Sequence, residues 1–259
     1  MTLEPMMVAG LIAAGVGIAT VAMAVGIGGG ILWTPLLIVA YDLGPGEAVA
    51  TSLLIQVIGL GSGAIAYFRY KLVVPRLSLL FFFVALPGVV LGSFFSVSLP
   101  QHLVQMALGA MAMTLAILFV TSQEEDFQPT ATTSVPYDPA KVNSVLPIPA
   151  FFGVIMGLLS VGIGEWIIPA LKSRLRMEMS HAIGTIIPMM FLLALTATLS
   201  HWVFSENFRF EHCLWGGLGT LIGGQIGPLI NRRIEDRILK EAFIYLMTLV
   251  GIHLIFQSV

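Results

Sequence analysis

Long apolar runs separated by short polar stretches make up nearly all of this chain. Eight apolar segments can be traced, four on each side of a polar stretch at 122–146. The segments lie at 6–40, 48–67, 77–97, 103–121, 147–171, 182–204, 213–230 and 238–256. Because about 20 apolar residues in a helix suffice to cross the hydrocarbon core of a bilayer, this pattern predicts an all-α membrane protein.

Glycine clusters interrupt the first segment of each half, 134 positions apart. Residues 26–35 read GIGGGILWTP and residues 160–169 read SVGIGEWIIP. At this constant offset the matched pairs are Gly28 and Gly162, Gly30 and Gly164, Pro35 and Pro169, Ala48 and Ala182, and Thr51 and Thr185. Paired apolar segments that are broken by glycine in both halves of a chain are typical of a transporter binding site.

The composition confines the protein to the membrane. Of its 259 residues, 57% are hydrophobic and 10% are charged, whereas a soluble domain carries about 25% charged residues. We therefore expect a lipid bilayer as its surroundings and no separate soluble catalytic domain.

A net charge of −2 does not indicate a nucleic-acid partner, and the single Cys213 excludes an internal disulfide. No motif predicts a cofactor or a metal, and Met6–Val25 is preceded by no basic residue, so we interpret it as part of the mature protein.

The distribution of Lys and Arg predicts the topology. If every segment crosses once, five basic residues face the cytoplasm and seven face outward. If each glycine-broken segment instead enters and returns on its own side, and the chain starts outside, eleven are cytoplasmic and one, Arg209, is outside. Basic residues favour the cytoplasmic side, so the second arrangement is preferred.

This topology predicts two inverted repeats, each a re-entrant helix hairpin followed by three transmembrane helices. The repeats span residues 1–121 and 147–259, and residues 122–146 form a polar cytoplasmic linker. Both termini are then outside. The steps Gly88-x3-Gly92 and Gly219-x3-Gly223 predict close helix contacts, since small residues let helix backbones approach in lipid.

At each break a short helix is predicted to start with glycine. Its first N–H groups lack intrahelical partners and carry a partial positive charge, and glycine lets a ligand approach them closely. Two such ends near the bilayer midplane predict an anion site that needs no Lys or Arg. The candidate substrate-binding residues are Gly26, Gly28, Gly29, Gly30, Thr51, Ser52, Gln56, Gly162, Gly164 and Thr185. The alternatives are that the glycines only pack helices and that the threonines cap or bond their own helix.

Glu165 stands at the second break, at the position that Ile31 occupies in the first. Acidic residues within a membrane segment mark proton or ion pathways, so Glu165 is a candidate proton carrier or gate. The alternative is a carboxylate that caps the returning helix. His201 falls at the repeat position of Tyr67, and we interpret both as interfacial.

At these residues the chain resembles the TauE/SafE family of membrane transporters, also called sulfite exporters. The first half carries its glycine run, Pro35 and the element Ala48-Val49-Ala50-Thr51-Ser52. The second half, Gly162-Ile163-Gly164-Glu165-Trp166, lacks the full glycine run, and Ile186 rather than serine follows Thr185. The resemblance implies a secondary transporter, an exporter of small sulfur-containing anions such as sulfite or organosulfonates, in a bacterial inner membrane. A passive anion channel and, less well supported, an intramembrane lipid-modifying enzyme are the alternatives. A homodimer is a further expectation.

Overall fold

A computed structural model describes residues 4–96, 98–121, 137–204 and 208–231, together with Thr248 and Ile252. Every element in this part of the chain is helical. The α-helices are α1 (Pro5–Val25), α2 (Gly30–Tyr41), α3 (Pro45–Arg69), α4 (Pro75–Ser96), α5 (Gln101–Thr121), α6 (Pro147–Leu159), α7 (Gly164–Ser173), α8 (Met179–Phe204) and α9 (Phe210–Asn231). A short 3-10 helix, Pro139–Ser144, precedes α6. The last predicted segment, 238–256, and linker residues 122–136 lie outside the described residues, apart from Thr248 and Ile252.

Both glycine clusters interrupt a helix, as the sequence predicts. The first splits segment 6–40 into α1 and α2, and the second splits segment 147–171 into α6 and α7. The helix before each break ends at a left-handed residue, Gly26 with φ 80° and Ser160 with φ 62°. Such a residue ends a helix because its backbone angles cannot continue the helical turn.

Five helices, α1, α3, α4, α8 and α9, are long and apolar enough to cross a membrane. With 12 and 10 residues, α2 and α7 are much shorter; at 1.5 Å per residue α2 extends about 18 Å, well short of a bilayer core of about 30 Å. The lengths and composition of the five long helices are those of an integral membrane protein.

The helices of the two halves pack into one shared core. Helix α1 lies along α9, and α4 lies along α6. Helices α3 and α8 pack against each other in the centre, and each also contacts one of these outer pairs, α3 through α9 and α8 through α4. Each outer pair thus joins one helix from the first half to one from the second.

Glycine makes these outer pairs possible. A Cβ on Gly92 would lie 3.0 Å from the backbone nitrogen of Leu158, and one on Gly219 would lie 2.9 Å from the Cα of Gly15. The predicted close helix contacts at Gly88-x3-Gly92 and Gly219-x3-Gly223 are therefore confirmed, with α6 and α1 as the partner helices.

Backbone geometry also recurs at the offset of 134 residues. Asp42 and Arg176 both have left-handed backbone angles, with φ of 52° and 54°. The next residue in each half donates its N–H to a carbonyl six residues back, Leu43 to Leu37 at 3.1 Å and Met177 to Leu171 at 3.2 Å. The similarity of the halves therefore extends from the glycine clusters to the ends of the short helices.

Tyr67 and His201 make equivalent buried contacts. The Tyr67 hydroxyl donates to the Met23 carbonyl at 2.6 Å, and His201 Nε2 lies 2.9 Å from the Gly157 carbonyl, 134 residues after Met23. Carbonyls in the last turn of a helix lack intrahelical donors, so these side chains satisfy the ends of α1 and α6. With 0% and 2% exposure, both side chains are enclosed by protein.

Candidate functional site

The two helix breaks cross in direct contact at Gly28 and Gly162. A Cβ added to Gly28 would lie 2.6 Å from the backbone nitrogen of Gly162, and one added to Gly162 would lie 2.5 Å from that of Gly28. The neighbours are backbone atoms that cannot rotate away, so the crossing requires glycine in both helix breaks.

The contacts on either side of this crossing are reciprocal. A Cβ on Gly30 would overlap the Ser160 carbonyl, and a Cβ on Gly164 would overlap the Gly26 carbonyl. Gly30 and Gly164 are matched in the repeat, as are Gly26 and Ser160. The packing role of these glycines is thus visible in the structure, and it brings the N-terminal ends of α2 and α7 together.

A chain of buried polar side chains lies beside the crossing. Ser52 Oγ is 2.8 Å from Thr34 Oγ1 and 2.6 Å from Ser160 Oγ, and Gln56 Nε2 donates to Ser160 Oγ at 2.6 Å. All four side chains are buried, the most exposed being Gln56 at 3%. Gln56 Oε1 finds no hydrogen-bond partner among the described residues. We call Thr34, Ser52, Gln56 and Ser160 the polar cluster.

The sequence predicted two members of the polar cluster and missed the other two. Ser52 and Gln56, which lie four residues apart on α3, are among the predicted substrate-binding residues. Thr34 lies within the first glycine–proline motif, and Ser160 replaces a glycine in the second. Glu165 is a candidate because it is polar where the first half has the apolar Ile31. The same comparison would have found Ser160, which is polar where the first half has Gly26.

The polar cluster has no counterpart on the other side of the crossing. The residues 134 positions after Thr34, Ser52 and Gln56 are Ile168, Ile186 and Met190, all buried and apolar. The Met190 methyl lies 3.2 Å from where a Gly164 Cβ would be, and Gln56 Nε2 lies 2.6 Å from the same place on Gly30. The backbone is therefore matched across the crossing, but its chemistry is one-sided.

Glu165 lies at the crossing itself. Its side chain is 1% exposed, and Gly28 of the opposite break donates its backbone N–H to Oε1 at 3.0 Å. The carboxyl also interacts with its own backbone N–H. Oε2 lies 2.8 Å from the place of a Gly162 Cβ and has no hydrogen-bond partner in the described part of the chain. A cap on α7 accounts for only one of these contacts.

The hydroxyls of Thr51 and Thr185 bind loop backbone. Thr51 Oγ1 accepts the N–H of Arg209 at 3.2 Å, and Thr185 Oγ1 accepts the N–H of Val74 at 3.1 Å. Thr185 also donates to the His181 carbonyl at 2.7 Å, a bond within its own helix. The structure thus gives both residues contacts with the loops that lead into α9 and α4.

A small, mainly apolar cavity adjoins the polar cluster. Its lining includes Gly29, Trp33, Gln56 and Thr220, and its volume is about 10 Å³. That is close to the smallest space that holds one water molecule, so it does not admit an oxyanion in this conformation. Gly29, a predicted site residue, therefore faces this space rather than the glycine crossing.

An ion pair joins the two halves at the start of α3. Arg209 Nη2 is 3.0 Å from Glu47 Oε1, and both side chains are partly exposed. The same Arg209 donates its backbone N–H to Thr51.

A bundle of membrane-length helices around two touching helix breaks, with polar groups buried at their crossing, is the architecture of a membrane transporter. The chain belongs to the TauE/SafE family, since the family described as "Sulfite exporter TauE/SafE" matches residues 11–254.

Two proteins of Bacillus subtilis (strain 168) are among its relatives. The probable membrane transporter protein YunE is 25% identical, over 96% of this chain and 97% of its own length. The probable membrane transporter protein YjnA is 28% identical, over 80% of this chain and 85% of its own length. No solved structure is significantly similar to this chain.

Proposed function

We propose that this protein is a secondary transporter that exports small sulfur-containing anions, such as sulfite or organosulfonates, across a bacterial inner membrane. The observation that carries the proposal is the crossing of the two breaks, where two short helices begin beside a buried cluster of hydroxyl and amide groups. Helix N-termini bind oxyanions through backbone N–H groups, and the family name supports sulfur as the central atom.

The proposed substrate site lies on the α3 side of the crossing. The hydroxyls of Ser52 and Ser160 and the amide of Gln56 bond one another in this conformation. A modest rotation would direct the same donors towards a ligand oxygen. Since Ile168, Ile186 and Met190 make the opposite side apolar, we propose one anion site rather than two. The glycines Gly26, Gly28, Gly29, Gly30, Gly162 and Gly164 provide close backbone approach, and Thr51 and Thr185 anchor the adjoining loops.

We further propose that the two repeats are inverted and that each break is re-entrant. Reciprocal contacts, in which Gly30 meets Ser160 while Gly164 meets Gly26, are those expected across a local two-fold axis. Such an axis in the membrane plane inverts one half relative to the other, and the bias of Lys and Arg supports a topology with both termini outside. With 21 residues, α1 is also long enough to cross a membrane by itself. Labelling of single cysteines beside Gly28 and in linker 122–136 with a reagent that does not cross the membrane measures on which side each lies, and so tests the re-entrant arrangement.

Anion binding is tested by the melting temperature of the purified protein with sulfite, thiosulfate, methanesulfonate, taurine, sulfate, chloride and acetate. A ligand that binds only the folded state raises the melting temperature with its concentration. We expect saturable shifts from sulfite and sulfonates, strongly reduced in Ser52→Ala and Gln56→Ala.

Ser96→Ala is the matched control for Ser52→Ala. Ser96 is also a buried serine, and it donates to the Leu158 carbonyl at 2.9 Å on α6, away from the polar cluster. Its removal should change the melting temperature but leave the ligand-induced shift intact. Equal loss of the shift in Ser52→Ala and Ser96→Ala, or no shift from any sulfur anion, would contradict the proposed site.

A further inference from the structure

The meeting point of the two breaks already holds a carboxyl group, which the proposed function leaves without a role. The Glu165 carboxyl accepts the N–H of Gly28 at 3.0 Å and contacts Gly162. We infer that this side chain is a built-in competitor: it holds the Gly28 N–H at the crossing, beside the proposed anion site, and must release that N–H before an anion binds there. This inference rests on the proposed function.

The bond to Gly28 distinguishes a competitor from a simple cap. A capping carboxylate accepts N–H groups of its own helix, at or near its start. Glu165 begins on α7 but reaches a backbone N–H that precedes α2, in the other half of the chain. The equivalent residue of the first half is Ile31, the second residue of α2, so only one of the two breaks supplies such a group. One carboxyl therefore serves both helix ends.

The shape of the group fits the same role. A carboxylate presents two oxygens to N–H donors, much as a sulfite or sulfonate presents three. Oε1 uses the Gly28 donor, while Oε2 is buried and has no hydrogen-bond partner among the described residues. An unpaired polar atom at this depth is unfavourable, so the arrangement favours exchange for a ligand with more complementary contacts.

The titratable groups on the neighbouring helices make other contacts. Helix α7 packs against α6, which has no titratable side chain, and against α8. On α8, His181 pairs with Glu178 and His201 bonds the Gly157 carbonyl. The remaining groups on the elements that meet at the crossing are Tyr41, Glu47, Tyr67, Arg69 and Lys172, of which Glu47 pairs with Arg209 and Tyr67 bonds Met23. Among these groups of the described residues, Glu165 is the one whose carboxyl bonds the backbone at the crossing, so we assign a pH response of anion binding to it.

This placement couples substrate to protons. When Glu165 is ionised, its charge and its bond to Gly28 oppose a second anion at the crossing. When it takes up a proton, the carboxyl becomes neutral and its bond to the Gly28 N–H weakens, so that a substrate anion can displace it from this donor. One proton on the carboxyl thus accompanies one bound anion, and acid conditions favour binding.

The test is titration of methanesulfonate against the purified protein by calorimetry, from mildly acidic to mildly alkaline pH. Methanesulfonate keeps its charge throughout this range, so any pH dependence belongs to the protein. We expect the wild-type affinity to fall as pH rises, and Glu165→Gln to bind with an affinity independent of pH. If the Glu165 side chain leaves the site open about a tenth of the time at alkaline pH, Glu165→Gln should bind methanesulfonate about tenfold more tightly than wild type at that pH.

Glu47→Gln is the control, since it removes a carboxyl on α3 that pairs with Arg209 near the surface. It should keep the wild-type pH dependence. A wild-type affinity that does not change with pH, or identical titrations of wild type and Glu165→Gln, would overturn the competitor role alone. No binding of methanesulfonate or sulfite by any of the three proteins would overturn the proposed function itself.

Discussion

Replacement of Gly28 by alanine perturbs the contact on which the whole site depends. The added Cβ would lie 2.6 Å from the backbone nitrogen of Gly162, about 1 Å closer than the contact distance of about 3.5 Å between such atoms. Because the neighbour is backbone, the two breaks must separate to accept the methyl group. Overpacking of this kind costs about 1–3 kcal/mol, and each kcal/mol lowers the melting temperature of a chain this size by about 2–4 °C.

The assay is thermal unfolding of the purified variant in detergent, with Gly17→Ala as the matched control. Gly17 lies in α1, and a Cβ there would meet no heavy atom of the described residues within 4 Å apart from the adjoining backbone of its own helix. We expect Gly28→Ala to melt about 2–12 °C below wild type, and Gly17→Ala to melt at or slightly above it, because alanine favours helix over glycine. Equal melting temperatures for Gly28→Ala and Gly17→Ala would refute the direct contact between the breaks.

Three further predictions concern contacts outside the crossing. Tyr67→Phe leaves the buried Met23 carbonyl without its donor and should destabilise the protein by about 1–3 kcal/mol, measured by urea or thermal unfolding; no change would show that the bond contributes nothing. Thr51→Val removes the acceptor of the Arg209 N–H, so it should lower the melting temperature, as expected for a stability effect. The dissociation constant for methanesulfonate should stay within about twofold of the wild-type value. A large loss of affinity at unchanged stability would instead mean that Thr51 contacts the substrate. Glu47→Gln breaks a partly exposed ion pair and should lower the free energy of unfolding by less than about 1 kcal/mol, with the difference from wild type shrinking in high salt. A larger loss of stability that does not depend on salt would contradict the surface character of this pair.

Much of the helical architecture follows from the sequence, because lipid enforces simple rules. Apolar length sets which segments can cross, and the predicted breaks at both glycine clusters are present in the structure. The arrangement of the helices was not predictable in the same way. Nothing in the composition of α1 or α6 indicates that α1 packs along α9 and α6 along α4, each in the opposite half of the chain. That pairing depends on which glycine-lined faces fit each other in three dimensions.

The candidate site was predictable where the repeat is strict and less so where it departs from symmetry. Matching the halves drew attention to Gly28, Gly162 and Glu165, which the structure brings together. Ser160 and Thr34 escaped notice because a lone hydroxyl in an apolar segment often only bonds its own helix. Ser160 contacts Ser52 across 108 positions of the chain, and Thr34 on α2 contacts Ser52 on α3. Such contacts exist only once the chain has folded.

The most direct test of the central claim is flux of radiolabelled sulfite in proteoliposomes that contain the purified protein. The account predicts uptake that saturates with external sulfite, is accelerated by unlabelled sulfite inside, and is strongly reduced in Gln56→Ala but not in Ser96→Ala. Flux that rises linearly without saturation would indicate a passive channel. Flux no greater than in protein-free liposomes, from protein whose melting temperature shows it to be folded, would contradict sulfite transport at this site.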